Sequence, residues 1–177
     1  FWNKLESTYR EKLEKANAEN DMDVDKELAK KLPYREMSKN GWVPETRNTI
    51  EKVIYLRKYF EVVNLEIIEN MQLSKMACRR LAETEKSNLS LLAWAQKAKL
   101  EARTIETSLV DLKTLKKSLP EIRSMTTMNP SDFCPRLIKL LSSCGIALVF
   151  LPHIGGSFLH GATFHDGNKI VVGLTVR

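Results

Sequence analysis

The sequence predicts an α+β protein that is mainly helical, and two observations support this prediction. Residues 1–128 are a succession of segments whose apolar residues recur at helical spacing. The last third, residues 132–177, combines one amphipathic helix with a short apolar run and two alternating segments joined by a tight turn. We therefore expect a helical region followed by a small antiparallel sheet packed against helices.

The elements of the last third follow from local signals. Asp132–Ser143 is amphipathic at helical spacing, and Cys144-Gly145 provides its end. The apolar run Ile146–Leu151 predicts a buried strand. Two further segments, Ser157–His165 and Lys169–Val176, predict a hairpin.

The sequence predicts no element that would cover one face of this hairpin. The apolar residues Ile170, Val172 and Leu174, or their alternates, need a second layer that the sequence does not provide. At the other end of the chain, Phe1 and Trp2 are large aromatic residues that open a predicted helix. We therefore expect these 177 residues to be part of a longer protein.

Charge density divides the chain. Residues 1–128 hold 24 Lys+Arg and 20 Asp+Glu, whereas residues 129–177 hold 4 and 2. The change coincides with a loop-like stretch at Thr127–Pro130. We therefore predict three regions, which are residues 1–20, a helical middle region at 21–128, and a compact region at 129–177.

Capping and breaking signals divide the first 128 residues into helices. The acidic stretch at Asp21 lacks the glycine and glutamate of an EF-hand calcium loop, so we expect Asp23 or Asp25 to cap a helix. Pro33 ends that helix, and Thr46 caps a later one. The predicted helices are Phe1–Asn17, 25–32, Pro33–Gly41, 46–60, Asn64–Met71, Ser74–Lys86, Ser90–Thr107 and Ser108–Pro120.

The net charge of +6 is concentrated in the middle of the chain. Residues 71–128 hold 11 basic and 6 acidic groups. Such a segment is able to contact phosphates or an acidic partner. The alternative is a solvated helix face, which the interleaving of basic and acidic residues favours.

Cysteine usage and hydropathy indicate the compartment. The three cysteines lack CxxC spacing, and the start of the chain is not signal-like. No apolar run approaches the roughly 20 residues that a membrane span needs. We predict a reduced, cytoplasmic protein that does not cross a membrane.

The sequence offers no catalytic, cofactor-binding or metal-ligating residue. His153, His160 and His165 do not form the His-Glu-x-x-His pattern of a zinc peptidase helix. His160 and His165 are five apart on a predicted strand, so they point to opposite faces. We expect surface or turn histidines.

Four other features have structural interpretations. Cys144 is predicted to be a buried residue at a helix end, and Trp94 to be a core anchor beside alanines. Gly155-Gly156 precedes a strand and not a helix, so a flexible turn is favoured over a phosphate loop. Arg79-Arg80 is too short a basic step to indicate nucleic-acid recognition.

Two stretches carry a resemblance to known families. The segment GIALVFLPHIGGSFLHGATF, which starts at Gly145, and its continuation at Lys169–Arg177 resemble the opening of an ImmA/IrrE-type metallopeptidase domain. Upstream, the start FWNKLESTY, the motif PYREM at Pro33 and the motif GWVP at Gly41 are similar to the end of the helix-turn-helix domain and the linker of HigA-like, XRE-type antitoxin regulators. Arg79-Arg80, Trp94-Ala95 and the motif LPEIR at Leu119 fit the helical region between the two domains.

The resemblance implies a zincin-like α/β domain after a helical linker. It implies that the DNA-reading helix precedes Phe1 and that the zinc ligands follow Arg177, so it transfers no catalytic, metal-ligating or base-reading residue to this chain. In such a domain a sheet edge holds extended substrate by strand addition. Either Ser157–His165 or Lys169–Val176 is expected to supply that edge.

Three functions remain open at this stage. The first is a cytoplasmic, homodimeric transcription regulator or antitoxin that binds operator DNA and carries a peptidase-like sensing domain. The second is a zinc-dependent endopeptidase that cleaves a repressor or partner, with zinc bound outside this chain. The third is a non-catalytic protein-interaction module, with a toxin or repressor as its partner.

Overall fold

A computed structural model describes residues 6, 21–69, 76–80, 84–155 and 159–176. The chain forms two compact units, Phe1–Met71 and Gln72–Arg177. Helices and one small sheet confirm the α+β, mainly helical class. The change in charge density at Thr127–Pro130 coincides with a turn inside the second unit and not with the division between units.

In its described part, the first unit consists of helices joined by turns and short extended segments. Its elements are α1 at residues 21–31, α2 at Tyr34–Lys39, α3 at Thr49–Phe60 and α4 at Glu66–Glu69. The predicted stop at Pro33, the short helix after it and the end of α3 are confirmed. The helix predicted over Phe1–Asn17 lies outside the described residues, apart from Glu6, which is helical.

Two predicted helix caps are wrong. Asp23 and Asp25 lie within α1 and do not precede it. The cap of α3 is Asn48, whose Oδ1 accepts a hydrogen bond from the Ile50 amide at 2.9 Å. The predicted cap, Thr46, lies two residues too early, and its hydroxyl oxygen accepts a bond from the Asn48 amide instead. Several residue types satisfy a cap, so sequence alone does not decide between neighbours.

Asp25 ties three segments of the first unit together. Its carboxylate is 1 % exposed. Oδ2 accepts a hydrogen bond from Arg57 Nε at 2.6 Å, and Oδ1 accepts one from the Leu65 amide at 2.8 Å. The buried charge thereby acquires a counter-ion from α3 and a backbone donor from the turn before α4, which burial of a carboxylate requires.

The second unit contains a four-stranded sheet and three helices among its described residues. In chain order its elements are β1 (Ala77–Arg80), α5 (Glu85–Arg103), α6 (Leu112–Met125), α7 (Pro130–Ser143), β2 (Ile146–Pro152), β3 (Leu159–Asp166) and β4 (Lys169–Val176). The strand order is β1-β3-β4-β2. β3 pairs antiparallel with both β1 and β4, but β2 and β4 are parallel, so the sheet is mixed and not antiparallel as predicted.

The sequence predicts the last four elements well and two earlier ones poorly. α7, β2, β3 and β4 form where expected. The helix predicted over Ser74–Lys86 is wrong, because β1 pairs there with β3, a strand about eighty residues later. α6 begins after Asp111 and continues through Pro120 to Met125, whereas a stop at Pro120 was predicted. Pro120 has no amide hydrogen, so a carbonyl in the preceding turn lacks its partner within the helix. Because Pro120 is exposed, water is able to donate a hydrogen bond to that carbonyl.

Helix α5 packs across the sheet through Trp94. This tryptophan is fully buried, as predicted, and its indole nitrogen donates a hydrogen bond to the Pro152 carbonyl at 3.3 Å. Its ring lies over Gly173 of β4, where an added Cβ would be 2.4 Å from the ring carbon Cη2. The absence of a side chain at position 173 therefore allows α5 to approach the sheet closely.

The turn between α7 and β2 is held by the α5–α6 connection. Gly145 has a φ of +80°, and an added Cβ would lie 2.5 Å from the backbone of Val110. The Ser108 amide donates to the Ser142 carbonyl at 3.0 Å, and the Asp111 amide donates to the Cys144 carbonyl at 3.1 Å. Cys144 is fully buried at this helix end, as predicted.

Asp111 caps α6, and we expect its removal to destabilise the second unit in a pH-dependent way. Oδ2 accepts from the Thr114 hydroxyl at 2.6 Å, and Oδ1 from the Thr114 and Lys113 amides. The hydroxyl bond first, and the amide bonds with it, hold the pKa of Asp111 below its ordinary value of 3.8. A lowered folded-state pKa contributes stability above the ordinary value and loses it as pH falls through the folded value. Asp111→Ala should therefore lower the melting temperature at pH 7, and this effect should shrink as the pH falls below the ordinary value of 3.8.

A matched variant, Asp111→Asn, separates the charge from the cap. Asparagine also accepts hydrogen bonds at a helix N-terminus but does not titrate. We expect it to retain most of the melting temperature at pH 7 and to show no acid transition of its own. An Asp111→Ala protein that melts with the wild type at pH 7 would contradict this role of the carboxylate.

Candidate functional site

The two faces of the sheet in the second unit differ in cover. On the face beneath α5, Val171 is fully buried and Gly173 lies against Trp94. The alternate residues of β4 are less buried, and Leu174 is 37 % exposed. The partly uncovered face carries Ile170, Val172 and Leu174, which is one of the two alternatives that the sequence leaves open.

A shallow groove runs along β1, β3 and β4. Its volume is about 460 Å³. The lining residues are Ala77, Cys78, His160, Gly161, Ala162, Thr163, Val172, Gly173 and Leu174. The lining is mostly aliphatic, with one thiol, one imidazole and one hydroxyl. Such a surface favours an apolar or extended ligand over a highly charged one.

His160 owes its position in this groove to an irregularity in the ladder. Arg79 of β1 is opposite Gly161, but Arg80 is opposite Leu159, so His160 is the extra residue of a β-bulge. The sequence predicts that His160 and His165 point to opposite faces, and the bulge alters the alternation between them. Both histidines and His153 are exposed. Only His160 lines the groove.

The described residues do not assemble a metal centre. Over the described ranges of the chain, no three His, Cys, Asp or Glu side chains lie close enough together to hold an ion. Cys78 in the groove and Cys144 at the end of α7 are free thiols.

The prediction that β3 or β4 supplies a substrate-binding edge of the sheet is wrong. β3 is paired on both sides, with β1 and β4, and β4 is paired on both sides, with β3 and β2. Neither therefore lies at the edge of the sheet, which is where strand addition takes place. The outer strands of the sheet are β1 and β2. Their positions depend on long-range pairing, which the hairpin pattern does not reveal.

No protein-family model, curated protein sequence or solved structure matches this chain. The assignment of a function therefore depends on the sequence motifs and on the geometry of the two units. None of the helices in the described ranges combines the length and the apolar character needed to cross a bilayer.

The first unit also has a concavity, which lies around the motif that begins at Pro33. Its volume is about 400 Å³, and its lining residues are Tyr34, Arg35, Ser38, Lys39, Glu45, Thr46 and Lys52. The Lys52 ammonium lies 5.5 Å from the centre of the Tyr34 ring, and the Tyr34 hydroxyl donates to the Pro44 carbonyl at 2.6 Å. Burial, together with the neighbouring Tyr55 and Glu51, raises the pKa of Tyr34. These contacts hold the GWVP segment against α2 and α3.

The remaining residues considered from sequence have structural positions. Arg79 and Arg80 lie in β1. The Gly155 carbonyl accepts a hydrogen bond from the Ser90 hydroxyl of α5 at 3.3 Å, while Gly156 lies outside the described residues. Sequence reasoning missed the groove because β1 was taken for a helix. The short run Ala77–Arg80 has no alternation long enough to indicate a strand by itself.

Proposed function

We propose that this chain is the linker and the opening half of the peptidase-like domain of a HigA-like, XRE-type transcription regulator. The intact protein is a homodimer that binds operator DNA. Its DNA-reading helix belongs to a segment before Phe1, as the resemblance implies. The second unit then serves as a sensing domain, with a toxin or repressor protein as a candidate partner.

One observation carries this proposal. β2 and the β3–β4 hairpin are paired in one sheet, and these strands lie in the stretch from Gly145 onward that resembles the ImmA/IrrE-type domain. The upstream motifs at Pro33 and Gly41 occupy α2 and the turn after it, in a helical unit of their own. A helical unit followed by a helix-and-sheet unit is the order that the resemblance implies.

The groove on the sheet supports a sensing role more than a catalytic one. Its lining includes one imidazole and one thiol but no carboxylate. Hydrolysis by a zinc-activated water would need a metal and a general base from residues outside this groove. The alternative, a zinc-dependent endopeptidase, therefore predicts stoichiometric zinc in the full-length gene product, while the regulator requires none.

Operator binding tests the proposal. We expect the full-length product of the gene to bind the DNA upstream of that gene, measured by fluorescence anisotropy with a labelled fragment. Binding should weaken at least about tenfold between 50 and 200 mM salt, because phosphate contacts release counterions. A fragment of the same length and composition in scrambled order is the control.

The proposal fails if the two fragments bind equally, or if neither binds at low salt. A second preparation carrying Leu112→Gln and Leu119→Gln, two exposed positions on α6, controls for surface effects. This protein should bind the upstream fragment as the wild type does. Metal analysis of the same protein preparation decides whether the endopeptidase alternative remains.

A further inference from the structure

Helix α6 exposes an unusual line of side chains. Leu112, Lys116, Leu119 and Arg123 follow one another at intervals of four, three and four residues, which places them in one row on the helix surface. Leu112 is 56 % exposed and Leu119 is 44 % exposed. Leu109, at 79 % exposed, lies in the connection just before the helix. We call these five residues the α6 strip.

The strip is separate from the side of α6 that packs inside the second unit. Met125 is 2 % exposed, and Leu115 and Ile122 are partly buried. The helix therefore has an internal apolar contact already, and the exposed leucines of the strip are additional to it. Leucines in that position gain nothing from the fold of this unit, which is typical of a surface that binds another molecule.

The charges of the strip are all positive and unpaired. Lys116 and Arg123 are exposed, and neither side chain forms an ion pair with any residue in the described part of the chain. The two carboxylates nearest in sequence are engaged elsewhere. Asp111 caps the helix, and Glu121 pairs with Arg136 of α7 at 2.6 Å. The strip therefore presents leucines alternating with uncompensated cations.

We propose that the α6 strip binds an acidic amphipathic helix of a partner protein. A partner helix with its own apolar row would cover Leu112 and Leu119, and carboxylates flanking that row would meet Lys116 and Arg123. This is the pattern by which paired helices select each other through charges beside an apolar seam. The proposal is independent of the DNA-binding function.

Three other occupants fit the strip less well. A membrane surface favours an uninterrupted apolar face, whereas basic residues lie between the leucines here and the rest of the apolar side is turned inward. A nucleic-acid backbone would use the cations and leave the leucines in water. A second copy of α6 would bring cations toward cations, since the strip holds no carboxylate.

Two labelled synthetic helical peptides test the proposal with the full-length gene product. Each peptide carries leucine at its core positions, and one has glutamate at the flanking positions while the other has lysine. We expect saturable binding of the glutamate peptide by anisotropy at low salt. Lys116→Glu with Arg123→Glu should weaken that binding at least about tenfold, and this variant should bind the lysine peptide instead.

The matched control is Lys113→Glu with Lys117→Glu. It makes the same change of net charge on the same helix, but at positions outside the row. Glutamate-peptide binding should change less than about threefold, which corresponds to general screening and not to contact. Binding of the lysine peptide by the strip variant also demonstrates that this variant is folded.

Four results would overturn the proposal. The first is equal binding of both peptides by the wild type, and the second is an equal loss in the strip and control variants. The third is binding to phosphatidylserine vesicles, lost in Leu112→Gln with Leu119→Gln, without binding of the glutamate peptide. The fourth is self-association in the ultracentrifuge that the same leucine variant abolishes, again without binding of the peptide.

Discussion

Replacing Asp25 with alanine is expected to lower the free energy of unfolding of the first unit by about 3 kcal/mol, near the lower end for breaking a buried ion pair. The carboxylate is 1 % exposed, while the side chain of Arg57 retains 25 % exposure, which moderates the loss. The substitution leaves the guanidinium without its partner. It also leaves the Leu65 amide without an acceptor. Urea unfolding followed by the fluorescence of Trp42, in the same unit, measures the effect.

Two comparisons decide whether the buried pair is the cause. Asp23→Ala removes a carboxylate from the same helix, but one that is 76 % exposed and bonded to Lys26, so it should cost less than about 1 kcal/mol. The double variant of Asp25→Ala with Arg57→Met leaves no unpaired cation. It should be more stable than the sum of the single losses predicts. Equal effects of Asp23→Ala and Asp25→Ala would contradict this account.

Adding one methyl group at Gly173 is expected to destabilise the second unit by about 1–3 kcal/mol, the usual cost of overpacking a close contact. The added Cβ would lie 2.4 Å from Trp94 Cη2 and 2.8 Å from Cζ3, distances at which one of the groups has to move. Removing the indole is expected to cost more. Trp94→Ala leaves a cavity between α5 and the sheet, and we expect it to lower the free energy of unfolding by about 3–5 kcal/mol.

The Gly173→Ala and Trp94→Phe variants test the contact as a pair. The two atoms that clash belong to the outer ring of the indole, which phenylalanine lacks. The double variant should therefore be more stable than the sum of the two single losses, as measured by thermal unfolding. Val176→Ala, at a 53 % exposed position of the same strand, should change stability by less than about 1 kcal/mol. Additive losses in the double variant would contradict the close packing of α5 on β4.

Local signals predict those elements whose patterns are complete within a few residues. The hairpin of β3 and β4 has a tight turn at Gly167, which has a φ of +59°, and alternating residues on both sides. α7 ends at Cys144 and Gly145 as predicted, since a glycine in the left-handed region suffices to end a helix. These features need no knowledge of distant residues.

The local sequence pattern does not predict features that depend on residues far away in the sequence. β1 exists because Cys78 is opposite Ala162, and nothing near Cys78 in sequence indicates that pairing. Asp25 is suited to capping by residue type, yet its partners, Arg57 and Leu65, are 32 and 40 residues away. The groove could not be predicted for the same reason, because β1 lines one side of it. Tertiary pairing here overrides local preference.

The α6 strip illustrates an intermediate case. The leucine spacing predicts the helix, and the concentration of basic residues at 71–128 predicts contact with an acidic partner or a solvated face. Only the exposures of Leu112 and Leu119 show that part of the apolar side is left outside the core. The structure therefore locates the exposed surface on α6, whereas the positive charge of this region is already evident from the sequence.

Footprinting of the full-length gene product on the DNA upstream of its gene tests the central claim most directly. The proposed homodimeric regulator predicts two protected half-sites in a palindromic sequence, separated by about one turn of the double helix. Protection should disappear as the salt concentration rises. The same DNA left unprotected at low salt, at protein concentrations high enough to bind competitor DNA nonspecifically, would contradict a DNA-binding regulator.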